Sequence, residues 1–266
     1  MMYNNIMNSD VTTWKLVSFL QSCKRELPGF DYEIHYNQDG YPDGIMFMTA
    51  QMKNNLMRYG DIMFLDSQNN SFNKIGWPYI GIALHNNNHK VCVCCESIVN
   101  AEKLEMYIWL LKTMSKLEPR WQPDMLRMIF GDGFITKRIL TDLNIQDTCI
   151  LHGDFYHLFN EVLPKEENFG RKAFAIVKDQ LRSMLLSKTE TAWTNCYKSA
   201  YSKLRDMPRE LELLIKIYND PVYYSGYYIR TLPCNLRLTG DVAAKANHSS
   251  YKSHQCDVIY MMNGWP

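Results

Sequence analysis

The sequence predicts an α/β domain in which helices flank a mixed β-sheet. Three observations support this fold class. Residues 61–99 contain three strand-like apolar runs with short connections, which are typical of an antiparallel meander. Helix and strand patterns then alternate along residues 100–163. From residue 165 to residue 220 the patterns are helical throughout, and no strand pattern interrupts them.

The first 58 residues are predicted to form a helix and a hairpin that lead into the core. The helix is the amphipathic segment "VTTWKLVSFLQSCKREL", which ends before Pro28. Apolar residues then alternate from Phe30 to Tyr36, and the dipeptide "DG" at residues 39–40 supplies a turn before a second apolar run. This stretch is therefore predicted to be a β-hairpin. The following segment, "QMKNNLMRYG", predicts a short helix.

The predicted core spans residues 59–164. Its meander strands are "DIMFLDS", "GWPYIGIALH" and "KVCVCCESIV". The helix "NAEKLEMYIWLLKTMSKL", which Asn100 can cap, leads to a fourth strand, "MLRMIFGDG". A short helix and a fifth strand, "DTCIL", complete the alternation. Three meander strands followed by right-handed β-α-β crossovers are expected to form one mixed sheet of five strands. Residues 165–220 are predicted to be a helical insertion, and residues 221–266 the C-terminal part of the core.

Composition limits the classes of function. The chain has 29 Lys and Arg against 28 Asp and Glu, so any basic surface that binds nucleic acid must be local. Its eight cysteines form no CxxC pair and the N-terminus has no signal-peptide pattern, which predicts a reduced, intracellular protein that is not secreted. No segment reaches the roughly 18 apolar residues of a membrane span, so no membrane partner is expected.

Two aspartates follow apolar strands of the predicted sheet. Asp66 closes the first strand of the meander, and Asp132 closes the strand after the long helix. If these two strands are parallel neighbours, both carboxylates lie at the same edge of the sheet. Carboxylate oxygens there suit Mg²⁺ or Mn²⁺, and a pair of such ions can support in-line phosphoryl chemistry. The alternative is that each aspartate is an ordinary turn residue at a strand end.

A second candidate site lies in "CILHGDFYH". Cys149 and His152 form a C-x2-H pair at the end of the fifth strand, and His157 follows five residues later. One interpretation is a zinc site, which needs two further protein ligands. The other interpretation is a buried cysteine followed by a histidine that begins a helix.

These segments resemble the Mutator-like (MULE) transposase domain, and the resemblance extends over residues 59–255. The stretch from "YGDIMFLDSQ" to "CVCCESIV" is similar to the start of that domain, with Asn73 and Pro78 at its Asn and Pro positions. "MLRMIFGDG" resembles the family's second aspartate strand, and "CILHGDFYHLFNEV" resembles its C-x2-H motif. "GDVAAKANHSSYKSH" resembles the segment around its third acidic residue, and the helical run before it resembles the family's insertion.

The resemblance implies a ribonuclease-H-like fold, with a mixed five-stranded sheet and an all-helical insertion before the last catalytic segment. It implies a DDE-type transposase that uses two divalent ions, Mg²⁺ or Mn²⁺, to cut transposon ends and join them to target DNA. Asp66 and Asp132 would be the metal ligands. The accessory residues would be Cys149, His152, His157, Asn247 and His248. DNA is the implied partner in the nucleus or another intracellular compartment, and homo-oligomerisation is left open.

One position departs from the family's pattern. Lys245 stands where the family carries its catalytic glutamate, and an ammonium group cannot ligate Mg²⁺ because it has no acceptor atom. Asp241 lies four residues upstream, on the same face if the segment is helical, and could substitute. We therefore expect a transposase core, truncated at its C-terminal end, with weak or absent DNA cleavage. The alternatives are a catalytically silent, domesticated or relic module that binds DNA or protein, and a ribonuclease-H-like nuclease unrelated to transposition.

Overall fold

Among the residues that the computed structural model describes, seven strands form one mixed sheet. They are β1 (Asp31–Tyr36), β2 (Pro42–Met48), β3 (Ile62–Gln68), β4 (Tyr79–His85), β5 (Val91–Val99), β6 (Met128–Gly131) and β7 (Ile150–Gly153). Their order across the sheet is β1-β2-β5-β4-β3-β6-β7. The structure describes residues 15–68, 76–88, 90–131, 137–153, 155 and 158–231, with the backbone alone at residues 66, 68, 137 and 229–231.

The central five strands have the order of a ribonuclease-H-like fold. β3, β4 and β5 are an antiparallel meander. β6 pairs with β3 in parallel, and β7 pairs with β6 in parallel. The chain reaches β6 from β5, and β7 from β6, through helical connections, as parallel pairing requires. The predicted fold class, a mixed sheet flanked by helices, is confirmed.

The sheet has two more strands than the expected five because the N-terminal hairpin joins it. β1 and β2 are the two arms of that hairpin. β2 also pairs antiparallel with β5, with Ile45 opposite Ile98 and Phe47 opposite Glu96. The unpaired edge of β5 is thereby covered, which removes an exposed edge of the kind that promotes aggregation.

Three helices pack on one face of the sheet, called here the helix-covered face. They are α2 (Ala50–Tyr59), α3 (Leu104–Leu117) and α4 (Lys137–Asp142). Alternate strand residues such as Met63, Ile82 and Leu151 bury their side chains against helix residues such as Leu110 and Ile139. Strand alternation places every second residue on this face, so one apolar layer holds the sheet and the helices together.

The predicted cap of the long helix is wrong. α3 begins at Leu104 rather than directly after Asn100, and its N-cap residue is Lys103, which makes no side-chain capping bond. Thr49 is a capping residue at α2, where its hydroxyl accepts from the Met52 amide at 3.2 Å. A short 3-10 turn at Pro123–Met125 connects α3 to β6.

The other face of the sheet, called here the opposite face, carries two smaller apolar clusters. One consists of Phe64, Ala83, Met128 and Phe130 on the central strands. The other forms beneath α1, whose described part is residues 15–26, where Leu20 packs on Phe30 and Ile45 of the hairpin. The residues of these clusters alternate with those of the helix-covered face, so the sheet is apolar on both sides.

The remaining helices form a second core. After a π-helical turn (Leu158–Val162) come α5 (Gly170–Leu185), α6 (Glu190–Lys203), α7 (Pro208–Asn219), α8 (Pro221–Tyr224) and α9 (Gly226–Thr231). Their apolar faces meet around Trp193, which is 2% exposed, and the rings of Tyr197 and Tyr218 stack at 3.9 Å. Among the described helices, none combines the length and the apolar character that crossing a bilayer requires.

We expect Gly60→Ala to destabilise the fold just before β3. A Cβ atom at Gly60 would lie 2.3 Å from the Leu56 carbonyl oxygen and 2.9 Å from Trp121 Nε1. The Trp121 indole donates to the Gly60 carbonyl oxygen at 3.2 Å, so the added methyl group also disturbs that bond. Urea unfolding should show a loss of about 1–3 kcal/mol. The exposed α2 variant Asn54→Ala should change the free energy of unfolding by less than about 0.5 kcal/mol; equal losses would contradict this account.

Candidate active site

The two strands that lead to the predicted metal ligands are parallel neighbours. β3 and β6 pair with Phe64 opposite Phe130. Asp66 comes two residues after Phe64, within β3 and opposite Gly81 of β4. Asp132 comes two residues after Phe130, directly after the end of β6. The sheet thus has the strand pairing on which the prediction of a shared edge depended. Asp132 and the side chain of Asp66 lie outside the described part of the chain, so their role as ligands stays a prediction.

A row of four neighbouring aromatic rings lies beside the aspartate positions on the opposite face of the sheet. The Phe64 and Phe130 rings are 4.8 Å apart and nearly parallel, and the His152 ring lies 5.2 Å from that of Phe130. His85 of β4 stacks on Phe64 from the other side at 4.8 Å. Such ring contacts add to the pairing of neighbouring strands. The row therefore fixes β4, β3, β6 and β7 relative to one another next to the candidate site.

The side chains of the C-x2-H pair lie on opposite faces of the sheet and do not point to a common metal position. Cys149 lies in the cluster of the helix-covered face, and burial raises the pKa of its thiol to about 12. His152, three residues later, lies on the opposite face beside Phe130. Its Nδ1 is 2.7 Å from the Gly153 carbonyl oxygen, and its Nε2 is 3.3 Å from the Ser225 carbonyl oxygen. His152 therefore links β7 to the α8–α9 junction, and it lies within a strand rather than at the start of a helix.

The other predicted site residues lie outside the described part of the chain. They are His157, Asp241, Lys245, Asn247 and His248. Among the side chains that the structure describes, no group of three or more His, Cys, Asp or Glu residues is placed to hold a metal ion.

Glu102 anchors the end of β3 to the helix-covered face. The Ser67 hydroxyl donates a hydrogen bond to Glu102 Oε1, and the Tyr107 hydroxyl donates to the same oxygen at 2.8 Å. Ser67 is the residue after Asp66, and Tyr107 is buried in α3. These bonds hold the strand end next to the candidate ligand. No pattern in the sequence around Glu102 indicates this contact, because Ser67 and Glu102 are 35 residues apart.

Glu96 is a buried carboxylate that does not belong to the site residues predicted from the sequence. It lies in the middle of β5, is 5% exposed, and is opposite Gly81 of β4. It accepts a hydrogen bond from the Tyr79 side chain, while Oε2 has no hydrogen-bond partner among the described residues. Burial raises the pKa of Glu96 to about 7, against the opposing effect of Tyr79. A signal was present, because glutamate inside an apolar run such as "KVCVCCESIV" is unusual.

A basic stripe runs along the solvent side of α5. Residues 170–205 contain eight Lys or Arg and two Asp or Glu, a net charge of +6 in a chain whose total is +1. Within α5, Arg171, Lys178 and Arg182 are exposed and follow the spacing of one helix face. None of these three, which we call the basic stripe, forms an ion pair with another described residue, whereas Lys216 on α7 pairs with Glu212 at 3.0 Å.

Comparison with known proteins finds a distant similarity to a plant protein. No family model matches the chain. The chain is 24% identical to "Protein FAR-RED IMPAIRED RESPONSE 1" of Arabidopsis thaliana over 161 residues, which cover 58% of this chain and 19% of that protein. The chain therefore spans about a fifth of the length of the curated relative it matches. This similarity loosely supports a relationship to the Mutator-like transposases, and it does not show membership of that family.

Proposed function

We propose that this chain is a transposase-derived core that binds DNA, with the basic stripe of α5 as its contact with the phosphate backbone. The observation that carries the proposal is the stripe: three exposed cations at helical spacing, without acidic partners among the described residues. The alternative for such a run of charge is an ordinary solvated helix face. The concentration of charge favours the first interpretation, since residues 170–205 carry +6 while the rest of the chain carries a net −5.

The physical basis of the proposal is counterion release. Each cation that neutralises a DNA phosphate displaces a condensed counterion, so affinity rises with the number of contacts and falls with salt. Arg171 and Arg182 are eleven residues apart on α5, a distance of about 16 Å along the helix axis. A helix of this length can follow the backbone across several phosphates. The similarity to transposase-derived proteins supports DNA as the polyanion.

Duplex binding by the purified chain tests this function. Fluorescence anisotropy of a labelled duplex of about 20 base pairs, at about 50 mM NaCl and with EDTA present, should show saturable binding that weakens steeply as salt is raised. EDTA keeps the measurement independent of any divalent ion. Absence of binding at low salt would contradict the proposal.

A second candidate function is metal-dependent DNA cleavage. It is favoured by the parallel pairing of β3 and β6, since Asp66 and Asp132 each come two residues after the paired phenylalanines. Carboxylates at such neighbouring strand ends suit Mg²⁺ or Mn²⁺, which would supply Lewis-acid stabilisation for phosphoryl transfer. Lys245 supplies no ligand at the position of the family's glutamate, so we propose that the unmodified chain cleaves weakly or not at all.

Restoring the glutamate tests this candidate. We expect Lys245→Glu to nick terminal-inverted-repeat DNA faster than the unmodified chain in Mg²⁺ or Mn²⁺, and Asp66→Asn added to that variant to abolish the gain. Plasmid nicking followed on agarose gels measures both. Robust Mg²⁺-dependent nicking by the unmodified chain would overturn the expectation of weak catalysis, and its retention in Asp66→Asn would remove Asp66 from the site.

A further inference from the structure

Glu96 is an incompletely satisfied acid in the interior of the sheet. Glu96 is 5% exposed. Within the described part of the chain, only one of its two carboxylate oxygens accepts a hydrogen bond, which the Tyr79 side chain donates. Oε2 is buried and has no hydrogen-bond partner among the described residues. No described Lys, Arg or His forms an ion pair with it. Burying a carboxyl group in this way costs free energy that a bound cation would recover, and orphaned buried polar atoms often indicate a missing ion or water.

The sheet register places Glu96 in line with the first predicted ligand. Asp66 of β3 is opposite Gly81 of β4, and Gly81 is opposite Glu96 of β5. Directly paired residues of antiparallel strands share a face, so Asp66 and Glu96 occupy positions on the opposite face of the sheet. Two strand spacings separate their backbones by about 10 Å. The residue between them is glycine, so no side chain stands between the two acidic positions.

This spacing suits one divalent ion. An aspartate and a glutamate side chain, together with two metal–oxygen bonds of about 2.1 Å, can span the separation of about 10 Å. The Tyr79 side chain donates a hydrogen bond to the Glu96 carboxylate and so limits the directions that this carboxylate can take. An oxygen-only ligand set favours Mg²⁺ or Mn²⁺ over zinc.

We propose that Glu96 is a ligand of a divalent cation, Mg²⁺ or Mn²⁺, which it holds together with Asp66 across Gly81. The inference rests on the second candidate function, the metal site at the end of β3, and adds to it a ligand that comes from the third strand of the meander. The competing explanation is a neutral acid that packs in the sheet and binds nothing.

Mn²⁺ binding to the full chain tests the assignment. The signal of free Mn²⁺ in electron paramagnetic resonance, titrated in metal-free buffer without DNA, gives the dissociation constant. We expect Glu96→Gln and Asp66→Asn each to weaken Mn²⁺ binding at least about tenfold. Glu105→Gln, which removes an exposed carboxylate from the first turn of α3, is the matched control and should bind Mn²⁺ like the unmodified chain.

Two further measurements keep the test independent of folding. Gly81→Ala retains both carboxylates but places a methyl group between them, and it should also weaken Mn²⁺ binding. Thermal unfolding in EDTA should show Glu96→Gln folded at least as stably as the unmodified chain at neutral pH, because glutamine carries no charge that would need to be buried.

The outcomes separate the two proposals. If Glu96→Gln binds Mn²⁺ like the unmodified chain while Asp66→Asn does not, the role of Glu96 is wrong and the metal site at Asp66 stands. If the unmodified chain binds no Mn²⁺, both the Glu96 inference and the cleavage candidate fail. DNA binding measured in EDTA is unaffected by either result, so the primary proposed function is judged separately.

Discussion

Glu96→Gln should stabilise the protein at alkaline pH and have little effect at acidic pH. The folded-state pKa of Glu96 is raised to about 7 by burial, from an ordinary value of 4.5. Between these two values the folded chain keeps a proton that the unfolded chain releases, so stability falls as pH rises through this window. Below the window both states are protonated and the residue has no effect. Above it the loss reaches about 3 kcal/mol, at 1.36 kcal/mol per unit of pKa.

Urea unfolding in EDTA at about pH 4 and pH 8 measures this effect as a difference between the variant and the unmodified chain. Taking the difference cancels the other titrating groups. Among these are Asp31 and Glu118, whose pKa values are lowered by Lys24, Lys53 and Arg120 and whose contributions have the opposite sign. Glu105→Gln should show no such pH-dependent difference. A Glu96→Gln difference that is equal at both pH values would contradict the burial of an ionisable acid at this position.

Reversing the charge of the basic stripe should cause a large loss of DNA affinity. In the triple variant Arg171→Glu, Lys178→Glu and Arg182→Glu, three attractive contacts become repulsive. We expect the dissociation constant for duplex DNA at about 50 mM NaCl to rise by at least about a hundredfold. All three side chains are exposed, so the fold should be retained, which circular dichroism can check.

A matched control separates the position of the charge from its amount. Arg25→Glu, Lys90→Glu and Lys112→Glu together make the same change in net charge on α1, the β4–β5 turn and α3. These three side chains are also exposed and form no ion pair with another described residue. We expect this control to lower affinity much less than the stripe variant does. Equal losses would mean that net charge rather than α5 governs binding.

Much of the fold could be predicted because its signals are local. The apolar runs of β3, β4 and β5 and the short turns between them identify a meander, and the helix patterns identify crossovers to β6 and β7. The pairing of β2 with β5 could not be predicted in this way, because residues 44–47 and 96–99 are distant in sequence and no turn joins them.

The candidate site was harder to predict for a similar reason. Spacing in the sequence suggested that Cys149 and His152 act together. In the structure Cys149, directly before β7, lies in the cluster of the helix-covered face, whereas His152, within β7, lies on the opposite face. Glu96 became a candidate only through the register that places Gly81 between it and Asp66, and register is a property of three strands together.

The salt dependence of DNA binding tests the central claim most directly. The logarithm of the affinity is plotted against the logarithm of the NaCl concentration for the unmodified chain and for the stripe variant, in which Arg171, Lys178 and Arg182 are replaced by Glu. The difference between the two slopes gives the number of phosphates that the stripe neutralises. Each phosphate contact contributes about 0.9 to the slope, so we predict that the variant's slope is shallower by about 2.7. Parallel lines for the two proteins would show that the basic stripe of α5 does not contact DNA.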